Sequence, residues 1–144
     1  MDSTPSTVIE SLPVRTWSDP VVEAHGYPVD SRYVETFWLP ILGPSATWAL
    51  RRLARIGATN DMTISVTELA RALGLGNGTG RTSMIARTLS RLVMFGMARW
   101  DGQALAVRQA VAPLPARHLA RLTPALQRAH ESWRSHPSVQ SATA

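Results

Sequence analysis

The sequence predicts a mainly α-helical domain with a small β-sheet, which is the α+β class. Apolar residues recur at helical spacing along residues 81–95, and this pattern predicts an amphipathic helix. Ser65 and Glu68 have the spacing of a capping box, so a helix is expected to begin after Ser65. Asp101-Gly102 is a typical type I′ turn pair between two β-prone stretches, and it predicts a hairpin over residues 97–108.

Two helices are expected before these elements. Residues 31–42 have helical spacing that Pro40 disturbs, and Pro44 suits the first turn of a second helix that Gly57 closes. The aromatic side chains of both helices, including Trp38 and Trp48, are expected in the core, and stacking of Trp38 or Trp48 on nucleic acid is the alternative. The exposed face of the second helix is expected to carry Arg51, Arg52 and Arg55.

The remaining elements connect and extend the fold. Residues 63–66 are β-branched and predict a short strand, and the glycine-rich residues 74–80 predict a turn that begins where Gly74 stops the capped helix. Gly96 is expected to end the long helix. Two C-terminal helices are expected over residues 115–122 and 124–133, the second capped by Thr123.

Composition divides the 144 residues into three parts. Residues 1–30 are rich in Ser, Thr, Pro and Asp and predict a flexible acidic tail. Residues 31–135 are predicted to form the folded domain, and residues 136–144 a frayed C-terminus. Residues 1–35 hold six acidic residues and two arginines, whereas residues 36–144 hold thirteen arginines and four acidic residues. A basic body favours a polyanionic partner, although arginines that only solvate a surface give the same charge.

Several function classes are disfavoured. The absence of cysteine excludes disulfides and thiolate zinc sites, and the four histidines are not at metal-ligand spacing, so no metal or other cofactor is expected. No catalytic triad or carboxylate pair is evident, so the chain is not expected to be an enzyme. The glycines at 74–80 lack the spacing of nucleotide-binding loops. Without a signal peptide or a membrane-spanning apolar run, we expect a cytoplasmic protein, nucleoid-associated if it binds DNA, with no membrane partner.

The order of strand, capped short helix, glycine turn, longer helix and hairpin resembles the winged helix-turn-helix superfamily of DNA-binding proteins. The residues that carry the resemblance are 65–75, 87–98 and 100–103. The predicted helices over residues 31–56 and 115–133 lie where such regulators have extra scaffold or dimerisation helices. The resemblance implies a recognition helix over residues 81–95 in the major groove and a short wing over residues 97–109.

The candidate DNA-binding residues are polar side chains on this helix, in the turn before it and on the wing. Arginine can form two parallel hydrogen bonds with guanine, and hydroxyl groups suit phosphate or base contacts. The predicted set is Thr79, Arg81, Thr82, Ser83, Arg87, Ser90, Arg91, Arg99 and Gln103. A solvated polar face, which any amphipathic surface helix has, is the alternative interpretation.

We therefore expect a sequence-specific transcriptional regulator that binds double-stranded DNA. The alternative is a winged-helix module for protein–protein interaction in a transcription or replication assembly. The resemblance also implies a homodimer. The candidate interfaces are the aromatic first helix (Tyr33, Phe37 and Trp38) and the last helix. The N-terminal tail, with Trp17, is the candidate segment for binding a protein partner.

Overall fold

The computed structural model describes residues 10–59 and 61–135. They form a mixed α/β fold with a small sheet, as the sequence predicts. One sheet has the strand order β3-β1-β5-β4, and a second sheet pairs β2 with β6. The strands are β1 (Ser11–Trp17), β2 (Tyr27–Pro28), β3 (Met62–Ser65), β4 (Ala98–Asp101), β5 (Ala104–Arg108) and β6 (Ala110–Val111). The α-helices are α1 (Pro20–His25), α2 (Leu39–Leu42), α3 (Pro44–Gly57), α4 (Val66–Ala72), α5 (Met84–Met94), α6 (Ala116–Leu119) and α7 (Pro124–Ser135).

The strand β1 shows that the expectation of a flexible tail is wrong for residues 10–30. β1 lies inside the four-stranded sheet, antiparallel to β3 and parallel to β5. Leu12 and Val14 are fully buried, as the period-two geometry of a strand requires for one face. Pro13 is tolerated because it lies in the half of β1 that pairs only with β3, since pairing with β5 begins at Val14. The predictions for residues 1–9 and 136–144 lie outside the described residues.

The segment after β1 is also folded. Asp19 caps α1 by accepting a hydrogen bond from the Val22 N–H, and its own N–H donates to the Glu23 carboxylate. Gly26 follows the helix, and a Cβ at this position would lie 2.1 Å from the Val111 carbonyl oxygen. Glycine is therefore needed here so that the chain can enter β2 beside β6.

A π-helical stretch (Val34–Trp38) runs directly into α2 and accounts for Pro40. The Leu39 N–H donates to the Val34 carbonyl, five residues earlier, which widens the turn just before the proline. A proline inside a regular helix would clash with the preceding turn, and the wider turn relieves this clash. Tyr33, Phe37 and Trp38 are buried in the core of their own chain, so the expectation that they form a dimer interface is wrong.

The helix α3 has the expected bounds, but two of its side chains are not where the sequence placed them. Arg51 is buried rather than exposed: its guanidinium donates to the carbonyls of Val29 and Ser31 and to the Glu35 carboxylate. Trp48 is 59% exposed rather than part of the core. These hydrogen bonds offset the cost of burying the charged guanidinium of Arg51.

The N-terminus of α4 has the expected Ser65 cap, and Glu10, rather than the Glu68 side chain, makes the further contacts that stabilise it. The Glu68 N–H donates to the Ser65 Oγ at 3.1 Å, as the capping box predicts. The Glu10 carboxylate accepts hydrogen bonds from the hydroxyls of Ser65 and Thr67. The Glu10 carbonyl accepts from the Val66 N–H. These hydroxyl hydrogen bonds lower the pKa of the Glu10 carboxyl.

Both predicted glycine helix ends are confirmed. After α4, the N–H groups of Gly74 and Leu75 donate to the carbonyls of Arg71 and Ala70. After α5, Gly96 and Met97 repeat this arrangement with Val93 and Leu92. Both ends are Schellman motifs, and both glycines have the positive φ that the motif requires.

The hairpin forms, but its turn is one residue later than predicted. Asp101 pairs with Ala104, so the central turn residues are Gly102 and Gln103 rather than Asp101 and Gly102. Gly102 has φ +65°, whereas Gln103 does not have a positive φ. Positive φ at the first central residue alone is the pattern of a type II′ turn, which favours glycine there.

The C-terminal helices close one side of the core. Thr123 caps α7 by accepting from the Leu126 N–H, as predicted. Trp133 and His130 on α7 pack edge-on against Tyr33, and the Tyr33 hydroxyl lies 2.8 Å from His130 Nε2. Burial raises the pKa of Tyr33 to about 12. Among the described residues, no helix is long and apolar enough to cross a membrane.

Buried histidines join α6 and α7 to the rest of the fold. The His118 ring on α6 lies between Trp38 and Phe95, at centroid distances of 5.7 Å from each. Its Nδ1 atom is buried without a hydrogen-bond partner among the described residues. Burial, reinforced by Arg117 and Arg121, lowers the pKa of His118. Burial also lowers the pKa of His130.

The first prediction tests the placement of β1. Leu12→Ala is expected to lower the free energy of unfolding by about 2–5 kcal/mol, because it removes a fully buried side chain from the sheet. Val21→Ala on α1 is the control, since Val21 is 69% exposed and its loss should change stability by less than about 0.5 kcal/mol. Urea unfolding followed by circular dichroism measures both. If the two variants were equally stable, β1 would not be part of the core.

The second prediction concerns pH. A histidine whose pKa is lowered by folding contributes full stability above its unfolded value of 6.5, and this contribution is lost as the pH falls below that value. The melting temperature should therefore decrease between about pH 7.5 and about pH 5. His118→Phe should reduce this decrease, because His130 is then the one described histidine with a lowered pKa. The exposed His25→Gln is the control, and an unchanged pH profile for His118→Phe would contradict the assignment.

Candidate nucleic-acid interface

The helix α5 presents one polar side to solvent. Its buried side packs into the core through Ile85, Thr88, Leu89 and Leu92. The exposed residues on the other side are Met84, Arg87, Ser90, Arg91 and Met94. The predicted helical period is therefore confirmed, except that Met84, expected on the apolar side, is 48% exposed.

The helix begins three residues later than predicted. Ser83 is its N-cap: the Ser83 Oγ accepts from the Ala86 N–H and donates to the Gly80 carbonyl. The Ser83 hydroxyl is therefore engaged in the fold rather than free for a ligand. Arg81 and Thr82 lie exposed in the turn before α5. They adjoin the helix but are not part of it.

The side chain of Arg91 is engaged with the protein itself. Its Nη2 donates to the Ile41 carbonyl at 2.8 Å, and its Nε donates to the Leu42 carbonyl. These carbonyls end α2 and have no partner within that helix. The guanidinium also lies 5.0 Å from the centre of the Phe95 ring. Arg91 thus joins α5 to α2, a contact that the helical pattern could not reveal.

Arg87 differs from Arg91 because its guanidinium is exposed and has no hydrogen bond or ion pair with the described residues. It lies one helical turn after Met84, and both line an open groove of about 280 Å³ between α5 and the start of α3. Pro44, Ser45 and Ala46 form the opposite wall. This groove has an unpaired cation on its α5 side and no acidic residue in its lining.

The loop between α4 and α5 extends over residues 73–83. Gly74 and Gly76 have φ values of +73° and +83°, so the predicted positive-φ turn is present at these positions. Thr79, a predicted site residue, is half-buried. The loop carries Arg81 as its only charged side chain.

The strand register places five charged or aromatic side chains of β1, β4 and β5 on one face of the sheet, which we call the outer sheet face: Arg15, Trp17, Arg99, Asp101 and Arg108. Arg99 and Arg108 lie 4.5 Å and 3.6 Å from the centre of the Trp17 ring. Arg15 forms an ion pair of 2.9 Å with Asp101. Trp17 is thus part of the fold, which contradicts its proposed role in a partner-binding tail.

The charges of the outer sheet face are largely compensated. Arg108 bonds to Asp19 at 2.9 Å, and Arg15 also lies 3.7 Å from Asp61. The predicted site residue Arg99 contacts the Trp17 ring and has no acidic partner among the described residues. Gln103 is exposed in the turn. Arg87 and Ser90 are both exposed on α5, whereas Arg99 is on β4.

Sequence reasoning missed Trp48 on the exposed face of α3. Trp48, Arg52 and Arg55 lie on its solvent side, and Arg52 lines a shallow cleft with Ser65 and Glu68 of the α4 region. The helical pattern did predict Arg52 and Arg55 on an exposed face, but it gave no signal that Trp48 joins them. Arg52, Arg55 and Arg87 are thus exposed on two helices, α3 and α5, that pack against each other.

No group of three or more histidine, aspartate or glutamate side chains that could hold a metal ion occurs within residues 10–59 and 61–135. Comparisons with protein-family models, with curated proteins and with solved structures found no match to the chain.

Proposed function

We propose that the chain is a winged helix-turn-helix protein that binds duplex DNA sequence-specifically and regulates transcription. The observation that carries the proposal is the exposed guanidinium of Arg87, which the described residues leave unpaired on the solvent side of α5. An unpaired arginine on an exposed helix is suited to two parallel hydrogen bonds with guanine in the major groove. The order α3, β3, α4, α5 and hairpin supports the winged-helix assignment.

The charge distribution supports a polyanionic ligand on this side of the molecule. Arg52, Arg55, Arg71, Arg81 and Arg87 are exposed on α3, α4, the loop and α5, and Glu68 is the one acidic residue between Asp61 and Asp101. Arginines that neutralise phosphates release counterions, so affinity for DNA should fall steeply as salt increases. Binding with little salt dependence would not fit this surface.

In this proposal α5 enters the major groove, with Arg87 and Ser90 facing the bases. Arg81 and Thr82 precede the helix and are suited to phosphate contacts at its N-terminal end. The hairpin has a minor role, because its arginines are stacked on Trp17 or paired with aspartates. Ser83 and Arg91, both engaged within the fold, support α5 rather than contact DNA.

The third prediction tests this role of α5. Arg87→Ala is expected to weaken binding to a selected duplex by about 1–3 kcal/mol and to relax specificity at one base pair. Arg128→Ala on α7 is the matched control, since Arg128 is also exposed and unpaired with described residues. Fluorescence anisotropy with duplexes enriched from a random pool measures both. Equal losses for the two variants would show that α5 does not read the sequence.

A protein-docking winged helix is the second candidate. It is favoured by exposed apolar side chains on the helical side of the molecule: Trp48 is 59%, Met84 48% and Met94 73% exposed. A lack of affinity for random duplex DNA at low ionic strength would favour this role over DNA binding, because electrostatic attraction alone gives weak binding to any duplex.

A further inference from the structure

Met84 is one of two methionines, with Met94, on the exposed side of α5. It is the first residue of α5, it is 48% exposed, and it lines the same groove as Arg87. A single exposed methionine is common on protein surfaces, so its exposure alone has no functional meaning. Its position beside the unpaired guanidinium of Arg87 is what calls for an explanation.

Because the side chains of Arg91 and Ser83 are bonded within the fold, fewer side chains of α5 are available to contact bases. Arg91 is bound to the Ile41 and Leu42 carbonyls, and the Ser83 hydroxyl is occupied at the helix cap. In the first turn of α5 the side chains left free are Met84 and Arg87, and Ser90 follows in the second turn. The Cα atoms of Met84 and Arg87 are separated by about 4.5 Å along the helix axis, which is close to the roughly 3.4 Å spacing of base pairs.

We propose that Met84 contacts the 5-methyl group of a thymine in the major groove, next to the guanine contacted by Arg87. This inference rests on the proposed DNA-binding function and names the bases that α5 reads. Of the groups that base pairs present in the major groove, the thymine methyl is the apolar one. The unbranched, flexible thioether of methionine can pack on a methyl group without a fixed geometry. A target site would therefore contain a thymine and a guanine in adjacent base pairs.

The test begins with duplexes enriched by the full-length protein from a random pool. Each thymine of the enriched site is replaced singly by deoxyuridine, which removes only the 5-methyl group. Wild-type protein should lose about four-fold in affinity at one position, the value of one buried methyl group. Met84→Ala should bind the thymine site more weakly and respond equally to thymine and deoxyuridine there. Met94→Ala, on the same helix and more exposed, is the control and should keep the wild-type response.

The outcomes separate this inference from the proposed function. An enriched site that depends on Arg87, but in which Met84→Ala keeps the deoxyuridine effect or no thymine adjoins the guanine, overturns the role of Met84 and leaves DNA binding intact. Enrichment of no duplex, with no affinity at low salt, overturns both proposals. Because Met84 is exposed, its alanine variant should keep the wild-type melting temperature, so lost binding would not reflect unfolding.

Discussion

The hydrogen bonding of β1 between β3 and β5 is the constraint on which the rest of the structure depends. It joins the strand that leads into α4 with the hairpin that follows α5. The close approach of α3 requires Gly57, where a Cβ would lie 3.0 Å from the Arg15 backbone. Glu10, directly before β1, completes the cap of α4. The N-terminal segment therefore sets the position of the helices that carry the candidate interface.

The acidic N-terminal residues explain how the basic charge is distributed. Glu10 caps α4, Asp19 binds Arg108, and Glu35 binds Arg51. Glu10 and Asp19, which the composition assigned to a separate tail, therefore form their contacts within the fold. Ion pairs at exposed positions contribute little stability, but they determine which guanidinium groups stay available to a ligand. Arg15 and Arg108 on the sheet are thus paired with aspartates, whereas Arg52, Arg55 and Arg87 on α3 and α5 have no acidic partner among the described residues.

Local signals in the sequence predicted local structure well, and contacts distant in sequence could not be predicted. The Ser65 cap, the glycine ends of α4 and α5, and the hairpin all depend on neighbouring residues, and all are present. β1 pairs with β5, about ninety residues later in the chain. Pro13 is unusual in a strand, so the sequence of β1 is more typical of irregular chain. The helical period predicted that Arg87 and Arg91 share an exposed side. It could not show that Arg91 donates hydrogen bonds to the last carbonyls of α2.

Arg91 is bonded within the fold and Arg87 is not bonded to the described residues, and this difference connects the fold to the candidate site. Arg91 joins α5 to the last carbonyls of α2, and Gly43, which follows α2, lies next to its side chain. α3 begins directly after Gly43, so the same contact fixes the start of α3 beside α5 and forms the groove. Arg87 and Met84 face this groove because Arg91 holds the helix in place. Arg91, which the sequence assigned to DNA contact, thus acts indirectly, by positioning the two side chains of α5 that face the groove, Met84 and Arg87.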